Sequence, residues 1–531
     1  MSEEKKQLTV RGIITGLFGL VLITASSMYV SLKMGALPWP TVFVTILSMT
    51  VLGAMGNASL QEINVTHTLM SAGAMVAGGL AFTIPGIWIL NPDAEISTLS
   101  LLTMTNCGAI LGTLFSALFR KNLIEDQKLV YPIGKASYET LTTGIKNGKE
   151  SLKLFIPLAF SVAFTIIRDG YGLVPAVMAI FKGSALVQPI NIWISPMAMS
   201  IGALVGHLPA ILWLGGAIIG YLLLVPIGIS TGLFADMTAA TLFRENLGIG
   251  IMLGTGIGVF IRAIIKDLRK GKTEKSVFSF SGFSKKGMLL CAVVMVLCAV
   301  AMAVLTEMSF WVAILAVCGV CVATLLSGML TGQTGINPME VFGILVMLLI
   351  GVLFAPSTAV LFLTAGLVAV ACGLTGDVMN DLKSGYLLKT DPRQQILGEA
   401  IGGVVGAVIS VLILLMLKKT YGGFGEEYLP APQAKAVATM ASGLGKSPAF
   451  FFGALIGVVL SVVGVPAATL GLGIYLSSQI SIIVGLGAVV ALILTKTKLV
   501  KDHDMNLVTS GLLGGEGIAG VLIAIWSMIV G

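Results

Sequence analysis

The stretch Met288-Leu-Leu-Cys-Ala-Val-Val-Met-Val-Leu-Cys-Ala-Val-Ala-Met-Ala-Val-Leu-Thr306 decides the fold class. It carries no charge, no proline and no glycine, and at about 20 residues it matches what a helix needs to cross roughly 30 Å of hydrocarbon. Residues 12–32, 97–119, 209–230 and 395–417 read the same way, with few or no formal charges. Five such segments exclude a single-anchor protein. Of the 531 residues, 56% are hydrophobic and 11% are charged, whereas soluble domains run near 25% charged. A water-exposed globule of this size would lack the residues to cover its surface. The sequence therefore predicts an all-α polytopic membrane protein, a helical bundle in lipid.

Further spans fall near 37–56, 65–90, 152–167, 193–207, 246–265, 309–326, 341–356, 357–376, 448–465, 466–494 and 508–530. Several are short or interrupted by Gly and Pro, which gives 14 to 16 transmembrane or re-entrant helices. The segment 120–149 carries Arg120, Lys121, Lys128, Lys135, Lys146 and Lys149, and 266–287 is a second basic stretch. Positive-inside bias places both in the cytoplasm with the N-terminus. A plasma membrane, such as a bacterial or archaeal inner membrane, fits that arrangement. Lys496, Lys498 and Lys501 face outward if 466–494 crosses once, so that stretch is expected to turn back on itself. The N-terminus, Ser2-Glu3-Glu4-Lys5-Lys6 followed by a full-length span, reads as an uncleaved insertion signal.

The chain echoes itself. Gly250-xxx-Gly254-x-Gly256-Ile257 returns as Gly511-xxx-Gly515-x-Gly517-Ile518, Pro132 and Glu139 return as Pro392 and Glu399, and Gln61-Glu-Ile-Asn64 loosely returns as Gln333-Thr-Gly-Ile-Asn337. These echoes predict two tandem membrane repeats, 1–265 and 288–531, around a basic cytoplasmic linker at 266–287. If the basic loops share one side, the halves run parallel. Secondary transporters are often built from such repeats, with the substrate site between them near the midplane.

The net charge of +7 calls for no nucleic-acid partner, because positive-inside loops account for it. The 65 glycines suit close helix packing in lipid. All six cysteines lie in apolar blocks; Cys318 and Cys321 have CxxC spacing but no second pair or nearby His, so they read as packing residues and no metal or cofactor is expected.

A charge at the centre of a membrane helix costs about 2.5–3.5 kcal/mol on insertion scales, so an intramembrane carboxylate is a functional candidate. Four regions qualify. Asn57-Ala-Ser-Leu-Gln61-Glu62-Ile-Asn64-Val-Thr66-His67 reads either as a solvated loop or as a broken helix lining a cavity. Thr331-Gly-Gln333-Thr334-Gly-Ile-Asn337-Pro338-Met-Glu340 places Gly and Pro inside an apolar segment, which favours a pore-lining break over a plain loop. Thr375-Gly-Asp377-Val-Met-Asn380-Asp381-Leu-Lys383-Ser-Gly-Tyr386 reads as a cytoplasmic cap or as the wall of a vestibule. Glu516, within Gly514-Gly515-Glu516-Gly517, is either a buried proton carrier or a wetted helix-end residue.

These regions also carry a family resemblance. Glu125-Asp-Gln-Lys-Leu-Val-Tyr-Pro-Ile-Gly-Lys-Ala136 resembles an element with an acidic pair, an aromatic-Pro step and Gly. Asp377-Val-Met-Asn-Asp-Leu-Lys-Ser-Gly-Tyr-Leu-Leu-Lys-Thr-Asp-Pro-Arg393 is similar to the signature Asp-Leu-Met-Gln-Asp-Phe-Lys-Thr-Gly-Tyr…Pro-Arg. Ser510-Gly-Leu-Leu-Gly-Gly-Glu-Gly-Ile518 resembles Ser-Gly-Leu-Ile-Cys-Gly-Asp-Gly-Ile, with Glu516 in place of Asp and Gly514 in place of Cys. Together they resemble the oligopeptide transporter (OPT) superfamily, closest to its yellow-stripe-like branch and prokaryotic members. The resemblance implies proton-coupled import of small peptides, glutathione-like peptides or metal chelates of amino-acid-derived ligands.

The resulting expectation is secondary active transport by alternating access, not an enzyme. Glu62, Glu340, Asp377, Asp381 and Glu516 would carry the coupling proton. Gln61, Asn64, Gln333, Asn337 and Tyr386 would hydrogen-bond an amide-rich ligand, and Lys33 and Lys383 would meet its carboxylate. Protons, lipid and a small-molecule substrate are the partners, and a homodimer is open. A channel and an intramembrane metalloenzyme using His67 and His207 are the alternatives, but no HExxH or close His pair is present. Gly443-Leu-Gly-Lys-Ser447 is similar to the end of a P-loop, yet Met440 stands where the first glycine is required, so it reads as a loop.

Overall fold

The computed structural model describes the chain except residues 1–6, 36, 38–40, 145–148, 185, 269–284, 336, 426–428, 443–446 and 531. Most of the basic linker and the Gly443-to-Lys446 segment thus lie outside the described residues. The first helices are α1 (Val10–Met34), α2 (Thr41–Ala54), α3 (Leu60–Ala81), α4 (Pro85–Leu90), α5 (Thr98–Arg120), α6 (Pro132–Gly144) and α7 (Lys149–Thr165). Next come α8 (Pro196–Leu204), α9 (His207–Ile218), α10 (Val225–Ser230), α11 (Met237–Leu268), α12 (Lys285–Leu305), α13 (Phe310–Thr334) and α14 (Met339–Phe354). The last are α15 (Thr358–Leu388), α16 (Pro392–Tyr421), α17 (Pro432–Ala441), α18 (Pro448–Val462), α19 (Ala467–Tyr475), α20 (Ser478–Lys496) and α21 (Asp502–Val530). Among the described residues the one sheet is an antiparallel hairpin of β1 (Val177–Phe181) and β2 (Ile190–Trp193).

The all-α polytopic expectation holds. Among the described residues, nine helical runs are long and apolar enough to cross a membrane. Other expected spans are shorter, as with α2, α14 and α18 at 14, 16 and 15 residues.

The chain packs as two compact units. One takes Met1–Leu152, Arg269–Ala441 and Ala524–Gly531; the other takes Lys153–Leu268 and Ser442–Ile523. At the heart of the first unit, α3 and α15 cross antiparallel. Gln61 Nε2 donates to the Leu388 carbonyl at 3.0 Å, Ser384 Oγ to Asn64 Oδ1 at 3.1 Å, and Ser71 Oγ to Asp381 Oδ2 at 3.0 Å, while Gly79 meets the backbone of Ala369 and Val370. Rising numbers on α3 thus meet falling numbers on α15. Small residues let neighbouring helices close on this pair. A Cβ on Gly108 or Gly112 of α5 would strike the Leu367 or Ala371 carbonyl of α15, at 3.0 and 2.6 Å. Gly402 and Gly406 of α16 sit against Leu69 and Gly73 of α3 in the same manner.

That likeness extends to the helix breaks. Helix α1 ends on Gly35 (φ 61°) and α13 on Gly335 (φ 75°), both left-handed. The Ala431 N–H donates to the Leu32 carbonyl, and the Tyr131 N–H donates to the Gly332 carbonyl. Ala431 (φ 41°) and Tyr131 (φ 47°) are themselves left-handed, and the proline after each, Pro432 or Pro132, covers the helix-ending glycine. Every residue in one clamp lies 300 positions from its counterpart in the other (32 and 332, 35 and 335, 131 and 431, 132 and 432). Two of the sequence echoes therefore join positions that the geometry does not relate. Pro132 corresponds to Pro432 rather than Pro392, and Asn337 to Leu37 rather than Asn64. Short polar look-alikes were visible in the sequence, whereas a shared backbone clamp was not. The direction also differs from the parallel expectation, because α3 and α15 hold matching places and run opposite ways.

The second unit shows the same pattern. Gly250 and Gly254 of α11 lie on the Phe450 and Ala454 carbonyls of α18, running parallel. Gly511 and Gly515 of α21 lie likewise on the Leu154 and Leu158 carbonyls of α7. The glycine echo thus falls on matching contacts. Between the two pairs, α8 and α9 run antiparallel to α19 and α20. Met199 meets Gly487, Gly202 meets Val484, Trp213 meets Gly473 and Gly216 meets Leu470. The steady fall from 487 to 470 shows that 466–494 follows 196–218 antiparallel across its break at Leu476, while Trp213 and Leu214 of α9 reach both Gly473 of α19 and Ser481 and Gly485 of α20. The arms on either side of the break thus lie against one stretch of α9, in keeping with the turn that the lysine pattern suggests.

Candidate functional site

Three helices of the first unit build a cluster in its interior, two of them supplying its acidic groups. Asp377 and Asp381 lie one turn apart on α15, so both face the same side. Glu399 comes from α16, and one carboxylate oxygen from each of the three lies within 4.8 Å of the others. The third helix, α3, supplies Ser71, which donates to Asp381, and His67, whose Nε2 is 3.9 Å from Asp381 Oδ1. All five side chains are buried. Gln395 of α16 ties the corner together, donating to Thr68 Oγ1 at 3.0 Å and to the Asp381 carbonyl at 2.6 Å. Neither oxygen of Asp377 or of Glu399, and neither nitrogen of His67, has a hydrogen-bond partner. Buried polar groups are normally paired, so this concentration of unpaired groups marks the site.

The other expected residues are more dispersed. Glu62 is held by Arg11, whose Nε and Nη2 donate to its two oxygens at 2.7 Å, and it also accepts from Thr9 Oγ1 at 2.6 Å. Gln61 and Asn64 are engaged in the α3–α15 contact, Asn64 also reaching Thr390 Oγ1 at 3.4 Å. Asn337 sits at the α13–α14 break, accepting from Ser327 Oγ and donating to the Cys372 carbonyl, both at 2.8 Å. Glu340 is half-buried in the first turn of α14. The Gln333 side chain lies outside the described residues. Lys33 lies 3.4 Å from the Tyr29 hydroxyl near the end of α1. Lys383 donates to the Leu129 carbonyl at 2.8 Å, 5.9 Å from the ring of the exposed Tyr386.

Glu516 belongs to the second unit and is fully engaged. It accepts from Arg168 Nη2 at 2.8 Å, from Ser195 Oγ at 3.0 and 2.9 Å, and from the Met197 N–H at 2.8 Å. Ser195 is the N-cap of α8, so the carboxylate closes a helix start. A π-helical turn over Ile166–Gly170 carries Arg168 there, and Arg168 also binds Asp169 and the Ile194 carbonyl. Sequence reasoning left Glu399, Ser71 and Arg168 without a role. Glu399 did carry a signal, since it is the sole carboxylate in the apolar stretch 395–417.

Comparison with known proteins agrees with this architecture. The family described as "OPT oligopeptide transporter protein" matches residues 7–527. A protein of Haemophilus influenzae named "Putative oligopeptide transporter" is 24% identical over 94% of this chain and 92% of its own length. The metal-nicotianamine transporter YSL2 of Oryza sativa is 23% identical over 63% of this chain and 56% of its own, and its namesake in Arabidopsis thaliana is 36% identical over 14% and 12%. With the family match running from the first helix to the last, the chain belongs to the OPT family of membrane transporters.

Proposed function

We propose that this chain is a proton-driven importer of small oligopeptides or glutathione-like peptides, working by alternating access between two inverted halves, 1–265 and 288–531, joined by a cytoplasmic linker. The observation that carries this reading is the paired helix break. A clamp of left-handed residue, proline and helix-ending glycine occurs once at Leu32–Gly35 and again at Gly332–Gly335, on helices whose partners run in opposite directions. Inverted repeats supply two near-equivalent arrangements of one structure, one open to each side of the membrane. Breaks near the midplane leave backbone carbonyls and polar side chains free to meet a substrate.

In this reading the N-terminus is cytoplasmic and the protein sits in a plasma membrane. Asn337 at the second break faces the peptide amides, while Lys33, Lys383 and Tyr386 meet a terminal carboxylate and its neighbouring groups. Gln61 and Asn64 keep the α3–α15 crossing in register. Asp377 and Asp381, which lack a cationic partner within hydrogen-bonding distance among the described residues, exchange the coupling proton. Glu62 and Glu516, already bound to arginines, hold structure. Glu340 remains a second exchange point near the break.

A metal chelate of an amino-acid-derived ligand is the second reading, favoured by the relatives named as metal-nicotianamine transporters. Uptake into proteoliposomes, with and without an inward proton gradient, separates the two. Di- to pentapeptides and glutathione form one arm, and iron chelates the other. Gradient-dependent, saturable accumulation of peptides supports the first reading, and accumulation of chelates alone replaces it with the second. Flux that does not saturate and ignores the gradient would overturn both in favour of a channel.

A further inference from the structure

We infer that Glu399 and His67 complete one proton-holding centre with Asp377 and Asp381, built by α3, α15 and α16. The inference rests on the proton-driven reading above and assigns to it two residues that the family signature does not contain. The observation is a combination. Three carboxylates lie within 4.8 Å of one another in the interior, and beside them a buried imidazole has neither nitrogen bonded. A structural histidine is normally fixed through at least one ring nitrogen. Here Nε2 instead points at Asp381 Oδ1 from 3.9 Å, a gap that one bridging water or a small rotamer change spans.

Charge decides what the cluster holds. From α15 the facing titratable groups are Asp377 and Asp381, from α16 Glu399 and from α3 His67. Among the described residues, the groups that act on the carboxylates are one another, Ser71 and Thr68. Arg11, the basic residue at the start of α1, is held by Glu62, and Arg120 of α5 by Glu125. Three like charges at this spacing repel strongly in a low-dielectric interior. Without a counter-cation, such groups share protons, and they gain and lose them as a set rather than one by one.

The roles then follow from the contacts. Ser71 donates to Asp381 Oδ2 and leaves Oδ1 toward the imidazole. His67 passes a proton from Nε2 to Asp381 Oδ1 and takes one back in the reverse step, so no proton is created or lost. Asp377 and Glu399, with all four oxygens free of donors, hold the proton between them. Gln395 fixes α16 against this corner through Thr68 and the Asp381 carbonyl, so sliding α16 would separate Glu399 from the pair. That separation is the step by which a helix movement would change the number of protons held.

The test is infrared difference spectroscopy on the full chain in lipid, acid minus alkaline, which reads protonated carboxyl groups and needs no substrate. Glu399→Gln should remove one protonated-carboxyl contribution and move the midpoint of the remainder by about one pH unit, as loss of a strongly interacting partner does. His67→Asn should keep every carboxyl contribution and shift their common midpoint. Spectra of Glu399→Gln and His67→Asn identical to wild type would overturn the proposal. Loss of the bands when sodium replaces choline at fixed pH would also overturn it, by making the cluster a sodium site. Monodispersity of each variant shows that it has folded, and Asp377→Asn, which should also lose one contribution, gives an independent reading if Glu399→Gln does not fold. Failure of the peptide uptake panel would sink the peptide reading and leave this result standing, so the two fail separately.

Discussion

Glu399 and Glu516 make the same appearance in the sequence, each a lone carboxylate in a long apolar stretch, yet the two sites that hold them are opposites. Glu516 has four hydrogen bonds to three partners, one of them a buried arginine. Glu399 has none, and its charged neighbours are two more carboxylates. An intramembrane acid is thus ambiguous until its partners are known. Where a cation and a helix start meet it, the charge is compensated and the site is a staple. Where only like groups and an unbonded imidazole meet it, the charge is left uncompensated, which is the setting the proposed proton-holding centre requires.

The strongest way to break that contrast is at the staple. Arg168→Ala leaves Glu516 buried and uncompensated, which typically costs about 3–5 kcal/mol. A large drop in thermal midpoint, or loss of monodisperse protein, is expected. Arg168→Met combined with Glu516→Met should recover much of the loss, because removing both charges also removes the penalty. Recovery of nothing would mean that the clamp matters for more than its charge.

At the cluster the expectation reverses. Glu399→Gln should leave the thermal midpoint near or above wild type, since it removes a repulsive charge. Accumulation driven by a proton gradient should fall at least about tenfold, as expected for a group that holds the coupled proton. Substrate counterflow, which needs no net proton movement, should persist. Loss of counterflow to the same degree would assign Glu399 to substrate binding or folding instead.

A smaller effect separates the two clamps. Ala431 adopts a left-handed backbone, which costs a residue with a Cβ roughly 1 kcal/mol. Ala431→Gly should therefore stabilise the protein slightly. Tyr131→Gly should destabilise it, because the buried ring and the hydroxyl that donates to the Gly328 carbonyl at 3.0 Å are lost with the strain. Equal responses would mean that the Tyr131 ring and its hydroxyl add nothing to that clamp. The smallest change is expected for Glu62→Gln. Its partner Arg11 keeps about a third of its side chain exposed, where ion pairs contribute little, so uptake and thermal midpoint should stay close to wild type.

Much of the fold was legible without coordinates. The apolar stretches became helices close to their expected limits, as with 395–417 inside Pro392–Tyr421 and 288–306 within one residue of the end of Lys285–Leu305. The break at 331–340 and the Gly250–Gly511 echo were readable because Gly and Pro act locally on the backbone. The candidate site was legible in half. Asp377 and Asp381 stood out through their spacing on one helix and the family signature, but Glu399 was noticed only in an echo that the geometry does not support.

What the sequence determined by itself is the set of local consequences of composition: which segments enter lipid, where helices start and stop, and which polar residues must be buried. Tertiary structure alone decided which buried acid found a counter-charge, and which way the matching helices run. The physical reason is distance. Glu516 meets Arg168 across 348 positions, and Ser71 meets Asp381 across 310. Coulomb energy and hydrogen bonding depend on separations of a few ångströms that no spacing along the chain encodes.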